Sequence, residues 1–136
     1  MDKLQERYSK LLQEITLDFH RYMYDRINWQ SRMIGLTGPR GVGKTTLILQ
    51  YMKEMLPRES SLYVTVEDFY FAQHRLLDLA DEFVKQGGKH LFIDEIHKYN
   101  DWSKELKLIY DYHSELQVVF TGSSVLDLNK GMADLS

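Results

Sequence analysis

The stretch that decides the fold is Gly38-Pro39-Arg40-Gly41-Val42-Gly43-Lys44-Thr45. It fits the pattern G-x-x-x-x-G-K-[ST], in which backbone amides surround phosphates, the lysine reaches the β- and γ-phosphates and the hydroxyl binds Mg²⁺. The apolar run Met33-Ile34-Gly35-Leu36 precedes it, and residues 45–56 follow with apolar side chains at helical spacing. A lysine at a helix N-terminus opposes the helix dipole unless an anion is bound there. The sequence therefore predicts a phosphate-binding loop between a strand and a helix, rather than a structural glycine turn. The predicted nucleotide-binding residues are Gly38, Pro39, Arg40, Gly41, Val42, Gly43, Lys44, Thr45 and Thr46.

Two carboxylates follow the apolar run Leu91-Phe92-Ile93, at the end of a second predicted strand. Buried carboxylates are costly unless they are paired or lie near a metal. Because ligands bind at the carboxyl ends of parallel strands, we expect Asp94 to lie across from Thr45 and to bind Mg²⁺ with it. Glu95 would then orient or activate the water that attacks the γ-phosphate. Taken alone, the pair could equally cap the following helix, but the phosphate-binding loop favours the catalytic interpretation.

A third group of polar side chains follows Val118-Val119-Phe120, in the segment Thr121-Gly122-Ser123-Ser124. A hydroxyl at this edge can donate to the γ-phosphate or to the attacking water and so report which nucleotide is bound. We favour Ser123 over Ser124 for this role. A Ser/Thr turn leading out of the strand is the alternative. The predicted catalytic residues are thus Glu95, Lys44 and Ser123.

Composition describes one globular domain. The chain has 136 residues, 43% of them hydrophobic and 27% charged, which excludes a disordered chain. Its net charge is −3, so the chain lacks the excess of positive charge that sequence-independent binding to nucleic acid or to a membrane surface requires. The longest apolar run is four residues, Phe69 to Ala72, whereas a membrane helix needs about 20. With no cysteine either, a cytoplasmic protein is expected.

Strand and helix patterns alternate along the chain, which predicts an α/β fold with a parallel sheet and helices on both faces. Apolar residues at spacings of three and four predict one or two helices within residues 3–28. We expect a helical segment at residues 1–31 that packs on a nucleotide-binding core at residues 32–136. The predicted strands are residues 33–37, 62–66, 91–94 and 118–121, and the later helices lie at 45–56, from Ala72 to Phe83, and at 101–113.

Two weaker features favour structural roles. His97 follows the carboxylates, but a lone histidine at a helix start is more often a capping or surface residue than a ligand. Tyr63 and the aromatic run at residues 69–71 are interpreted as core and rim packing, because no basic residues interleave with them.

With these motifs placed, the sequence resembles the AAA-superfamily ATPases over residues ~30–136. It is most similar to a widespread prokaryotic group of unassigned cellular role. The features that this sequence shares with that group begin with Gly38-Pro39-Arg40, which opens the loop. They continue with Asp94-Glu95-Ile96-His97 at the end of the strand with the metal-binding carboxylate, and with Trp102 soon after. The last is Thr121-Gly122-Ser123-Ser124, at the end of the strand that would carry the γ-phosphate sensor. The resemblance implies a three-layer P-loop NTPase fold with the strand order 1-4-3-2 among these four strands. It places a fifth strand beyond strand 1, so we expect residues 33–37 to pair on one side within this chain.

The resemblance also implies a lid or C-terminal domain whose arginines complete the site. Here the last arginine is Arg75, and the chain ends at Ser136 without a helical terminus. We therefore expect an N-terminal fragment of a longer protein, with an arginine supplied by self-association or by a C-terminal domain.

The favoured function is an ATPase that binds ATP and Mg²⁺ and hydrolyses ATP through water activated by Glu95, weakly or not at all in the isolated chain. A nucleotide-dependent switch or scaffold with negligible turnover is the alternative from a different class. A GTPase is less favoured, since Asn129-Lys130-Gly131-Met132 begins like the guanine-reading N-K-x-D but ends in Met. A DNA-handling motor would need a basic track that this segment lacks.

Overall fold

Four parallel strands form one sheet, with β1 at Met33–Gly38, β2 at Ser61–Thr65, β3 at His90–Asp94 and β4 at Gln117–Ser123. Their order across the sheet is β1-β4-β3-β2, which confirms the predicted order. The computed structural model describes residues 1–15, 27–38 and 43–123. Within these ranges β1 pairs with β4 alone, from Met33 opposite Val118 to Gly38 opposite Ser123, as expected for residues 33–37.

Within the described residues, four α-helices accompany the sheet: α1 at Asp2–Glu14, α2 at Lys44–Met55, α3 at Leu76–Lys85 and α4 at Trp102–Tyr112. The chain moves across the sheet in one direction from β1 to β2 and returns through β3 to β4. Right-handed crossovers therefore place α2 on one face and both α3 and α4 on the other. The helix contacts agree, because α1 packs on α2 while α3 packs on α4. The result is the predicted three-layer α/β architecture.

The central strands are buried on both faces, which explains their continuous apolar sequences. Leu91, Phe92 and Ile93 of β3 are each 0% exposed, and Val119 of β4 is equally enclosed. Such a strand cannot hold a charged side chain until it reaches its end, where Asp94 lies. This pattern puts the polar chemistry at one edge of the sheet.

The N-terminal helix packs on the sheet through one face, where Leu4, Tyr8 and Leu12 are buried. The Tyr8 hydroxyl lies 3.4 Å from Ser61 Oγ at the start of β2. Arg7 donates twice to the Asp68 carboxylate, at 2.9 and 2.7 Å. Helix α1 accounts for the first part of the helical pattern predicted at residues 3–28, and residues 16–26 of that prediction lie outside the described residues.

Helix α3 begins later than the pattern predicts, at Leu76 instead of near Ala72. Ala72 is exposed and ends a short 3₁₀ turn, Phe69–Ala72, which begins where the Asp68 side chain accepts a hydrogen bond from the Tyr70 amide. The apolar spacing from Ala72 to Leu76 is therefore coincidental, because a capped turn separates the two residues.

A buried carboxylate of α4 holds the start of α3. Glu105 is 5% exposed, and its Oε1 accepts a hydrogen bond from the Leu77 amide at 3.1 Å. Its Oε2 accepts from the Tyr99 hydroxyl at 2.7 Å and from Arg75 Nε at 3.4 Å. A negative charge at a helix N-terminus is stabilised by the helix dipole and by the free amides there. Glu105 thus fixes α3 against α4.

Candidate nucleotide site

The first turn of α2 brings the lysine of the phosphate-binding motif to the edge of β4. Gly43 precedes the helix with φ +81°, a backbone conformation that side chains other than glycine rarely adopt. Lys44 is the first helical residue, and its Nζ donates a hydrogen bond to the carbonyl oxygen of Gly122 at 3.1 Å. The motif lysine therefore lies beside the end of β4, at the carboxyl edge of the sheet.

Asp94 lies at the end of β3 with its carboxylate surrounded by hydroxyl groups. The residue is 4% exposed. Its Oδ2 accepts hydrogen bonds from Thr45 Oγ1 and from the Tyr63 hydroxyl, each at 2.6 Å. Its Oδ1 accepts from Thr121 Oγ1. Three donors from three different elements thus hold a carboxylate that would be costly to bury alone.

Tyr63 contributes a hydroxyl that stays protonated. It projects from β2 and is 7% exposed. Burial, and after it the charge of the adjacent Asp94 carboxylate, raise the pKa of Tyr63 above its ordinary value of 10.0. Because the phenol cannot ionise at neutral pH, it acts there as a permanent donor to Asp94.

Glu95 adopts a left-handed backbone conformation, with φ 59° and ψ 40°. This conformation is uncommon for a residue with a side chain, and strained backbone concentrates at functional sites. The Glu95 amide donates to Thr121 Oγ1 at 3.0 Å, and its Oε2 lies 3.4 Å from His97 Nε2. The side chain is 23% exposed, so it stands at the rim of the same edge. His97 is thus paired with the candidate catalytic carboxylate and is not simply a surface residue.

Three other predicted site residues lie at strand ends or in the first turn of α2. Gly38 is the last residue of β1, and Ser123 is the last residue of β4. Thr46 lies exposed in the first turn of α2. Pro39, Arg40, Gly41, Val42 and Ser124 lie outside the described residues.

The side-chain oxygens of Thr45 and Asp94 are suitable ligands for a magnesium ion. Mg²⁺ prefers oxygen ligands and is usually held by one or two protein groups, with substrate phosphates and water completing its shell. Within residues 1–15, 27–38 and 43–123, no group of three or more His, Asp or Glu side chains could hold a metal by itself. A metal held by Thr45 and Asp94 would therefore take its other ligands from water or phosphate.

Two residues of the edge were missed as site residues at the level of sequence. The sequence pattern favours packing for Tyr63 and places Thr121 in a hydroxyl-rich segment without a role of its own. A usable signal existed in both cases, because a hydroxyl inside an otherwise apolar strand needs a hydrogen-bond partner. The nearest buried acceptor at that end of the sheet is the Asp94 carboxylate.

Family comparison identifies the chain. A family model described as "AAA domain" matches residues 30–136. The chain belongs to that family. Membership indicates a nucleotide-binding P-loop domain of the ATPase type. This agrees with the positions of Lys44, Thr45 and Asp94 at the carboxyl edge of the sheet.

Structural comparison supports the same fold. The solved structure of PCH-2 from C. elegans matches with a TM-score of 0.54 and 17% sequence identity. The match covers 98% of this chain and 40% of that chain, so this chain spans about two fifths of PCH-2. At this identity the match establishes the shared fold alone. No curated protein sequence matches the chain. In the described part of the chain, no helix has the length and apolar character needed to cross a membrane.

Proposed function

We propose that this chain binds ATP together with Mg²⁺ and that the protein containing it hydrolyses ATP. The hydrogen bond between Thr45 and Asp94 carries the proposal, because it joins the two motifs that a P-loop ATPase uses to hold the metal. Lys44 lies at the same edge of the sheet. Membership of the AAA domain family supports adenine over guanine as the base.

The phosphate-binding role belongs to residues 38–46. The amide groups at the start of α2 and the positive end of its dipole would face the phosphates. Lys44 would exchange its contact with the Gly122 carbonyl for the β- and γ-phosphates, where its charge is better matched. When bound, Mg²⁺ would neutralise phosphate charge and polarise the γ-phosphoryl group. Thr45 and Asp94 would hold it.

Glu95 is the proposed acceptor of a proton from the attacking water. It follows the metal carboxylate directly, its side chain is partly exposed, and His97 lies against its Oε2. Ser123, at the end of β4, is the proposed sensor of the γ-phosphate. We also propose that residues 1–31 form a helical segment that packs on the core of residues 32–136. The proposed compartment is the cytoplasm.

A nucleotide switch with negligible turnover is the second candidate. Phosphoryl transfer gains much of its rate from an arginine near the γ-phosphate. Three of the four arginines in the described part of the chain, Arg7, Arg32 and Arg75, contact groups elsewhere in the fold, namely Asp68, the carbonyls of Tyr110 and His113, and Glu105. Such a chain would bind nucleotide and leave hydrolysis to an arginine from a partner or from another domain.

Calorimetric titration tests the proposal. ATP should bind more tightly with Mg²⁺ than with EDTA, and more tightly than GTP. Equal affinity for ATP and GTP would overturn the choice of base. Failure to bind either nucleotide would overturn the proposed function.

A further inference from the structure

The hydroxyl of Thr121 connects the two carboxylate residues of the site. It donates to Asp94 Oδ1 and accepts the hydrogen bond of the Glu95 amide at 3.0 Å. A threonine hydroxyl has one donor and two acceptor positions, so both bonds can form at once. Thr121 is 1% exposed, which leaves little room for water to replace either bond.

These two bonds determine geometry at two different points. The bond to Oδ1 fixes the rotation of the Asp94 carboxylate, so that Oδ2 is turned toward Thr45. The bond from the amide holds the peptide that precedes the left-handed Glu95, and thereby determines where that side chain leaves the strand. One hydroxyl therefore orients both Asp94, the proposed metal ligand, and Glu95, the proposed catalytic carboxylate.

We propose that Thr121 is a positioning residue that couples the metal-binding carboxylate of Asp94 to the orientation of Glu95. The inference rests on the proposed ATPase function and assigns to Thr121 a role separate from that of Ser123. Tyr63 provides the contrast, because its hydroxyl contacts Asp94 Oδ2 and it is not bonded to the Glu95 amide. Loss of Thr121 should disturb metal and water together, whereas loss of Tyr63 should disturb the metal alone.

The test compares Thr121→Val, Thr121→Ser and Tyr63→Phe in the full-length protein. Thr121→Val keeps the shape of the side chain and removes the hydroxyl. We expect the Mg²⁺ concentration for half-maximal ATP binding to rise about tenfold, the effect of losing a hydrogen bond to a charged group. We also expect kcat at saturating Mg²⁺ to fall about 10- to 100-fold, as misplacement of a catalytic group does. Thr121→Ser keeps the hydroxyl, so the Mg²⁺ requirement and kcat should both stay near their wild-type values.

Tyr63→Phe separates the two effects. It should raise the Mg²⁺ requirement, and added Mg²⁺ should recover most of its lost turnover. The same recovery should fail for Thr121→Val. If added Mg²⁺ repairs both variants equally, the coupling to Glu95 is wrong.

A purely structural role predicts the opposite pattern for Thr121. If packing matters, Thr121→Ser is impaired and Thr121→Val resembles the wild type, and that result overturns the proposal. Should Thr121→Val fail to fold, Thr121→Cys takes its place, since a thiol is a weak donor and acceptor. Normal Mg²⁺ dependence and turnover in folded Thr121→Cys would also overturn it.

Hydrogen exchange distinguishes this inference from the proposed function. The Glu95 amide should lose protection in Thr121→Val and keep it in Thr121→Ser, whether or not nucleotide binds. If the wild type binds no ATP, the ATPase function fails, while the exchange pattern still supports or refutes the Thr121 contact. Unchanged protection in Thr121→Val would refute it.

Discussion

Thr45 and Asp94 are joined by a hydrogen bond of 2.6 Å between the hydroxyl and Oδ2. The first residue lies in the opening turn of α2 and the second at the end of β3, 49 positions later in the chain. The contact therefore links the phosphate-binding motif to the acidic motif at one edge of the sheet.

Lys44→Ala should weaken ATP binding about 10- to 150-fold, the range expected when a charge-assisted hydrogen bond is removed. Calorimetry with ATP and Mg²⁺ measures the change. Lys53→Ala is the matched control, because Lys53 lies at the other end of α2 and donates to the Ile15 carbonyl at 2.8 Å. Equal affinities for Lys44→Ala and the wild type would contradict the assignment of the loop.

Glu95→Gln should retain ATP and lose turnover by about 10² or more, because an amide cannot accept the proton of the attacking water. Phosphate release by the full-length protein measures this loss. Glu67→Gln is a useful control, since Glu67 follows β2 at the same edge but pairs with Lys98 at 2.7 Å. If Glu95→Gln and the wild type release phosphate equally slowly, the switch function is favoured over the ATPase.

The 136-residue chain alone should hydrolyse ATP slowly, because residues 76–136 contain no arginine. An arginine supplied in trans or by another domain is worth about 10³ to 10⁵ in rate. Phosphate release should therefore be near background for this chain and rise when a protein carrying that arginine is added. Brisk hydrolysis by the chain alone would point to an arginine of its own, and Arg40→Ala would then test the one inside the predicted loop.

Tyr8 should make the docking of α1 sensitive to alkaline pH. Burial raises the pKa of the Tyr8 hydroxyl above 10.0. Below pH 10 the phenol is neutral in both states and its contribution to stability is complete. Above that pH the unfolded chain releases the proton first, so the free energy of unfolding falls as pH rises.

Comparison with Tyr8→Phe isolates this effect. Between pH 10 and 11 the free energy of unfolding should fall further in the wild type than in the variant, by less than the ~1.4 kcal/mol that release of one whole proton over a pH unit would give. Urea unfolding at each pH, monitored by circular dichroism, gives the difference in the free energy of unfolding between the two proteins. Parallel losses in the two proteins would show that Tyr8 does not titrate with unfolding.

Glu105→Ala should lower the free energy of unfolding by about 3 kcal/mol, because it leaves the Leu77 amide and the Tyr99 hydroxyl without their buried acceptor. Glu105→Gln keeps an amide oxygen and should lose less. Glu115→Ala is the control, since Glu115 is 87% exposed and should change stability by about 0.5 kcal/mol or less. Equal stability of Glu105→Ala and the wild type would show that the carboxylate is not needed to hold α3.

Local patterns were sufficient to predict the four strands, the phosphate-binding motif at residues 38–45 and the acidic motif Asp94-Glu95. An apolar run such as Leu91-Phe92-Ile93 fits a strand buried on both faces, and the polar residues that follow it must lie at an edge of the sheet. The start of α3 was misplaced because the turn at Phe69–Ala72 depends on the Asp68 cap, which apolar spacing does not reveal. The strand order came from the family resemblance, since periodicity alone does not specify which strands are neighbours.

The sequence by itself determined that a lysine and a hydroxyl begin α2, and that one carboxylate ends β3 and a second follows it directly. These facts depend on the order of residues and on short-range backbone preferences. The motifs also predicted that Thr45 lies across from Asp94, but only the tertiary structure showed that Tyr63 and Thr121 donate to the same carboxylate, and that Thr121 also accepts from the Glu95 amide. Such contacts depend on which strands lie side by side and in what register, and these are set by long-range packing that no local pattern encodes.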